Sequence, residues 1–304
     1  MPGDAGELDA GICIQRLRQH FTKIELTLLV GICGAMSRNG DNEPIYLGDV
    51  IVGTEVWRYL HNARGSRLHN GGVDLDLRNY SAGDSCQRVK QLGKVLQTAQ
   101  FRQQTIHCSF GLLKNLQKGQ KGAKFKYPGC EMDKLFRADY VHQHRSSPRS
   151  CKCDCQHGSS CDEAKRTPCD RLGCIYDKIE RVRAATEQPP KPNIHVGTMA
   201  SADIVMRASP EFVTQLKDRN VLGIDMEGGG VYRATDCIVI KGVVDYADTH
   251  KNKIFADYAA ASAASVALAF LMKLYPGNKI RQPQKQPSSI IIMSEMNITE
   301  AIEL

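Results

Sequence analysis

The chain has 304 residues, 42% of them hydrophobic and 24% charged, so it can form one large globular domain or two small ones. Its formal net charge of +7 is a modest basic excess, much of it in polar segments at 117–126 and 142–149. That pattern reads as solvated surface rather than as a nucleic-acid footprint. The acidic, apolar-poor start Met1–Ala10 does not read as a signal peptide. The longest low-polarity run, Tyr258–Met272, is broken by Ser262 and Ser265 and falls short of the ~20 apolar residues of a membrane span. A reducing, cytoplasmic setting with no membrane partner is expected.

In chain order, Ile12 to Phe21 reads as a short amphipathic helix with Ile14, Leu17 and Phe21 on one face. Ile24 to Val30 reads as a buried strand, Gly31 to Asn42 as a loop containing glycine and asparagine, and Asp49 to Gly53 as a second strand. Residues 54–84, with Gly65, Gly71, Gly72 and Gly83, read as loops or short strands, and Val89 to Leu116 has helical periodicity. Residues 141–192 form a polar, cysteine-rich insertion that closes on Pro189-Pro190-Lys191-Pro192. Asn193 to Ala200 reads as a strand, and Ser209-Pro210 opens a helix with Ser as N-cap and Pro at the first helical position. Cys237–Val244 is β-branched and nearly all apolar, as a strand buried in an α/β sheet is. An Ala-rich helix over about Ile254–Leu274 ends at Pro276-Gly277. One domain over 1–276 is expected, then a flexible tail over 277–304 in which Ile290–Met293 is apolar enough to dock. No internal repeat is present.

Two carboxylates stand at the ends of short elements. Glu227 precedes Gly228-Gly229-Gly230, and Asp245 falls at the carboxyl end of a strand, where open α/β sheets place their ligands. Each has a plain structural alternative. Asp245 and Asp248 serve equally as caps of the following helix, and a carboxylate such as Glu227 suits a helix's first turn. Ser201 and Asp203 read as ordinary loop residues as readily as site residues, and His250 reads as a solvated histidine at a helix start.

Six of the twelve cysteines (Cys151, Cys153, Cys155, Cys161, Cys169 and Cys174) gather in the insertion with His157. In a cytosolic chain dense thiols point to metal more than to disulfides, and a metal supplies the stability that an apolar-poor loop lacks. The spacing is not a pair of C-x-x-C steps, and two C-x-C steps fit one tetrahedral site poorly. A structural zinc site and free or redox-labile thiols both stay open.

Ile224-Asp225-Met226-Glu227-Gly228-Gly229-Gly230-Val231, followed by Val244-Asp245-Tyr246-Ala247-Asp248-Thr249-His250-Lys251-Asn252-Lys253, resembles the fungal branch of the nucleoside phosphorylase and nucleosidase superfamily. Leu28–Met36 with Leu47–Val52, His195–Asp203, Lys126–Gly129 with Asp133–Phe136, and Cys169–Cys174 resemble further segments of that family in the same order. The resemblance covers roughly residues 10–275. It implies a three-layer α/β/α fold with a central mixed sheet and, as activity, N-ribosyl cleavage of a purine nucleoside through an oxocarbenium-like state. It implies Glu227 as the group on the ribose hydroxyls and Asp245 as the general acid toward the purine N7. Gly31, Ile32, Cys33 and Gly34 would offer backbone N–H groups to phosphate or to the attacking water, with Met226 also on the substrate side and Ser201 and Asp203 near the base. No cofactor is needed for that chemistry; phosphate is a candidate co-substrate, the partner is a small-molecule nucleoside, and relatives form homo-oligomers.

The chain also departs from the family. It begins without the strands that precede the segment resembling residues 1–35, which reads as an N-terminally shortened copy or a truncated gene model. Ala202 replaces a glycine, Gly228-Gly229-Gly230 replaces a mixed Gly/Ala run, and residues 54–84 lack the family's aromatic-acidic pattern. No arginine is evident beside the Gly31 segment, which leans the reading toward water over phosphate. Three classes remain open: an enzyme, a nucleoside-sensing or partner-binding module without turnover, and a zinc-dependent interaction protein.

Overall fold

The computed structural model describes residues 6–21, 24–58, 60–61, 75–76, 87–145, 161–184, 189–201, 210–276 and 289–294. Its elements begin with helix α1 (Glu7–His20), strands β1 (Ile24–Ala35), β2 (Val50–Arg58), β3 (Leu60–His61) and β4 (Leu75–Asp76), and helices α2 (Gln87–Gln97), α3 (Ala99–Leu116) and α4 (Gly119–Gly122). Strand β5 (Lys134–Phe136), helices α5 (Asp162–Arg166) and α6 (Cys169–Leu172), and strands β6 (Ile179–Val182) and β7 (Ile194–Ser201) follow. The chain continues through α7 (Pro210–Lys217), β8 (Val221–Asp225), α8 (Gly228–Ala234), β9 (Cys237–Asp245), α9 (Ala256–Leu274) and β10 (Ser289–Ser294).

A mixed central sheet is present, as the sequence predicts, but it does not lie open as the middle layer of a sandwich. β1 pairs with β9 in parallel, β9 with β2 antiparallel, β2 with β7 and β7 with β8 in parallel, and β8 returns antiparallel to the end of β1. Five strands thus close into a barrel, with β10 added outside on the first half of β1. Closure removes strand edges, and so small a barrel is filled by its own side chains. Gly223 shows how tightly: a Cβ there would stand 2.8 Å from Ile51 Cδ1 and 3.2 Å from Cys33 Sγ.

The period-two pattern of the strands sorts the core. Leu29, Cys33, Ile51, Met199, Val239 and Val243 join one apolar cluster. Leu26, Leu28, Val30, Ile238 and Ile240 join a second one beneath α9, with Ala263, Val266, Ala267 and Phe270. By length and composition α9 is apolar enough to cross a membrane, contrary to the shorter run expected, but 61% of its window is buried within the protein. It is a core helix.

Three expectations are corrected here. Residues 31–34 are not a loop: they continue β1 and pair with Lys241–Asp245 of β9. Part of the segment read as a flexible tail is β10, a parallel partner of β1 over Ile24–Val30. The insertion is not merely a polar loop, because its β5–β6 base is a hairpin and Ala164, Leu172 and Cys174 form a small buried cluster. Residues 202–209, including Ser209 of the expected cap, lie outside the described residues, but α7 does begin at Pro210.

Candidate functional site

Four strand ends meet at one rim. Register places Ser201 of β7 opposite Asp225 of β8, Ile224 of β8 opposite Gly34 of β1, and Gly34 opposite Asp245 of β9. Asp225, Glu227 and Asp245 are therefore neighbours around the mouth of the barrel, together with Gly34 from far earlier in the chain.

Beneath this rim lies a charge that the apolar look of β9 conceals. Lys241 is fully buried, with Nζ 3.0 Å from Asp225 Oδ2 and 3.3 Å from Glu227 Oε2. Burial pulls its pKa down, yet the two carboxylates outweigh that effect and hold the ammonium above its ordinary value. Asp225 also accepts the Gly228 N–H, at 3.2 and 3.1 Å from its two oxygens, and Ser201 Oγ accepts the Gly229 N–H at 2.9 Å. The leading donors of α8 are thus met by Asp225 and Ser201. Glu227 stands at the start of α8, as the helix-start alternative has it, but its side chain makes no cap hydrogen bond. Its carboxylate is held at the rim by Lys241 instead.

Asp245 is half-buried, and its Oδ1 accepts the Ala247 N–H at 2.7 Å. It does not cap α9, whose first turn is led by Phe255 without a side-chain bond. The local turn puts Ala247 at φ 55, a left-handed conformation disfavoured for a residue with a Cβ. Gly34 makes this packing feasible, since a Cβ there would lie 2.8 Å from Asp245 Oδ1 and 2.9 Å from the Ala247 Cβ. Cys33, beside the same groups, is buried and its thiol is pushed up by burial, with Lys241 opposing and Asp225 and Asp245 adding. It stays a protonated packing group rather than a nucleophile.

Two of the glycines after Glu227 make room for α1. An added Cβ on Gly229 would overlap the Glu7 carboxylate, and one on Gly230 would overlap the Glu7 carbonyl oxygen. The close approach they permit is that of α1 onto α8.

A second polar cluster fixes the segment between β1 and β2. Asp133, buried beside β5, accepts from the Leu47 N–H at 3.1 Å and from the Tyr246 hydroxyl. Burial pushes its carboxyl up to about 6 against those bonds and the charges of Arg183 and Arg181. Arg181 of β6 donates to the Ser37 and Ile45 carbonyls at 3.0 and 2.7 Å and to the Tyr246 hydroxyl at 3.0 Å. Asp49 accepts from the Tyr46 and Asn193 N–H groups and lies 3.1 Å from His195 Nε2. The hairpin at the base of the insertion thereby braces both the chain leaving β1 and the chain leaving β9.

Of the residues singled out in the sequence, Glu227, Asp245, Gly34, Cys33 and half-buried Met226 come together at the rim, with Gly31 and Ile32 lower on β1. Ser201 is fully buried with its hydroxyl engaged by α8, so it is a structural residue of the rim. Asp203, Cys151, Cys153 and Cys155 lie outside the described residues. His250 is not solvated: it is buried and stacked on Phe136 at a 4.0 Å ring-centroid distance. Asp133, Arg181, Tyr246 and Lys241 were not anticipated. Lys241 carried a signal, because a lysine inside an apolar strand demands a carboxylate partner. Arg181 reaches the chain after β1 from an element distant in sequence, and no local pattern marks it.

No protein-family model matches the chain. A nucleotide-binding leucine-rich repeat (NLR)-like protein of Hyaloscypha variabilis is 34% identical over 85 residues, which are 28% of this chain and 9% of that relative's length. Among solved structures, the 5'-methylthioadenosine/S-adenosylhomocysteine nucleosidase of Neisseria meningitidis aligns at 12% identity and a TM-score of 0.41, covering 88% of this chain and 78% of its own. The MTA/SAH nucleosidase of Streptococcus pneumoniae aligns at 15% identity and a TM-score of 0.42, covering 88% and 77%. Futalosine hydrolase of Helicobacter pylori aligns at 11% and 0.41, covering 88% and 76%.

Proposed function

We propose that this rim binds a purine nucleoside and cleaves its N-ribosyl bond. The observation that carries the reading is the pairing of Glu227, fixed at the rim by a buried lysine, with Asp245 across the side-chain-free Gly34. Glu227 accepts the ribose hydroxyls and stabilises the positive charge that develops on the sugar. Asp245, its carboxyl plane set by the Ala247 N–H, delivers a proton to the leaving base. Water is the favoured attacking group. Two arginines of the insertion reach the segment after β1: Arg181 has its guanidinium engaged by two carbonyls and a tyrosine hydroxyl, and Arg183 faces the Leu47 carbonyl and Asp49, which leaves both poorly placed to hold phosphate. The setting is cytoplasmic.

A binding module without turnover is the second reading, and one observation favours it: Lys241 already engages Glu227 Oε2, which leaves less of that carboxylate to accept from ribose. Base release from adenosine, inosine and guanosine, with and without phosphate and beside Glu227→Ala, separates the two. Release that needs no phosphate and is lost in the variant supports the hydrolase, and phosphate-dependent release assigns a phosphorylase. Calorimetric nucleoside binding without release supports the module. Neither binding nor release from monodisperse protein refutes both.

A further inference from the structure

The insertion holds a second constellation, away from the rim chemistry. His142 follows β5, Cys169 opens α6 and Cys174 lies just after it, and their ligand atoms all fall within 4.8 Å of one another. The turn that joins the two cysteines is tight: Gly173 takes φ 74, and the Cys174 N–H returns to the Cys169 carbonyl at 2.9 Å. His142 Nδ1 lies 3.6 Å from Cys169 Sγ and 3.4 Å from Cys174 Sγ. Zinc–sulfur bonds of about 2.3 Å and zinc–nitrogen bonds of about 2.0–2.1 Å at tetrahedral angles set nitrogen and sulfur about 3.6 Å apart. The spacing found is the spacing such an ion imposes.

The tautomer agrees. His142 Nε2 lies 2.9 Å from the Thr167 carbonyl, which can only accept, so Nε2 carries the proton and Nδ1 turns its lone pair to the thiols. Cys161 packs against the same cluster as Ala164, Cys169, Leu172 and Cys174, and its sulfur accepts the Ala164 N–H at 3.3 Å as the cap of α5.

We infer that His142 Nδ1, Cys169 Sγ and Cys174 Sγ hold a structural zinc ion as three of its ligands. The ligand set differs from the six cysteines singled out by composition, for it includes a histidine outside their run. The ion has a structural reach. The His142 N–H donates to Thr249 Oγ1 at 3.0 Å, and the His142 ring meets His250 edge-on at 5.1 Å. Zinc thus ties the insertion to the turn that follows Asp245.

The test uses the full chain, expressed without a histidine tag and purified under reducing, chelator-free conditions. Elemental analysis is expected to find about one zinc per chain. Replacement by cobalt(II) is expected to give thiolate charge-transfer bands and the intense visible spectrum of a tetrahedral site. His142→Ala and the double Cys169→Ser, Cys174→Ser variant should each lower zinc affinity by about tenfold or more. Should either fail to fold, His142→Cys keeps the question decidable, because its cobalt spectrum should move toward that of a site with one more thiolate. Folded wild-type protein that takes up no zinc or cobalt, undiminished metal in both variants, or a cobalt spectrum unmoved by His142→Cys would overturn the site. None of these readouts depends on nucleoside turnover.

Discussion

A lysine sealed inside a barrel is tolerated only as part of an ion pair, and removing it strands the partners it leaves behind. Lys241 has two carboxylates within 3.3 Å, both themselves largely buried. Replacing it with Met matches its length but leaves Asp225 and Glu227 as neighbouring uncompensated charges. Lys241→Met should therefore destabilise by about 3–5 kcal/mol in urea unfolding, and adding Asp225→Asn should restore a large part. Equal losses in the single and double variants would show that the triad does not behave as one electrostatic unit. The same triad explains why a helix that starts with a glutamate is capped by a different acid. Asp225 meets the first donor of α8 and Ser201 the next, which leaves Glu227 for the rim.

Elements whose identity is written in local periodicity were legible before the structure. β2, β7, β9 and α9 fall where alternation or Ala-rich periodicity puts them, and Asp245 does end a strand. The segment Gly31–Gly34 misled because glycine content signals a turn, whereas here it signals crowding: β1 runs on so that Asp245 can sit against it. The triple glycine after Glu227 makes room for a close neighbour, but no local pattern shows that the approaching group is α1. β10 was hidden for a similar reason. Its short apolar stretch, Ile290–Met293, becomes a strand only because β1 offers a parallel edge more than two hundred residues earlier in the chain. Pair geometry between carboxylates was legible only as proximity in sequence; the rim is assembled by sheet register.

Across the whole molecule, the brace formed by Asp133, Tyr246 and Arg181 joins the insertion hairpin to the chain ends of two barrel strands. Its pH response has a definite sign. Asp133 carries a folded pKa of about 6 against an ordinary 3.8, so the folded state binds the proton more tightly than the unfolded chain. Stability from this group is fully present below the unfolded value and is lost as pH rises through about 6. The span corresponds to on the order of 3 kcal/mol. Urea unfolding of the wild type against Asp133→Asn should show the wild-type advantage shrinking between about pH 4 and about pH 6. A difference that is flat or grows over that window would contradict the assignment.

The closed sheet has one short joint. β8 meets β1 at Gly34 and Ala35, with one further bond from the Met36 N–H to the Leu222 carbonyl, whereas β9 pairs with β1 from Thr27 to Gly34. Local opening takes the path that breaks the fewest bonds, so the barrel breathes at that seam before it breathes anywhere else. Amide hydrogen exchange should accordingly run faster at Ala35 and Ile224 than at Leu29 or Val239, and uniform protection around the barrel would disprove it. The seam borders Asp225 and Gly34, which makes the least protected joint of the scaffold the doorway to its own mouth.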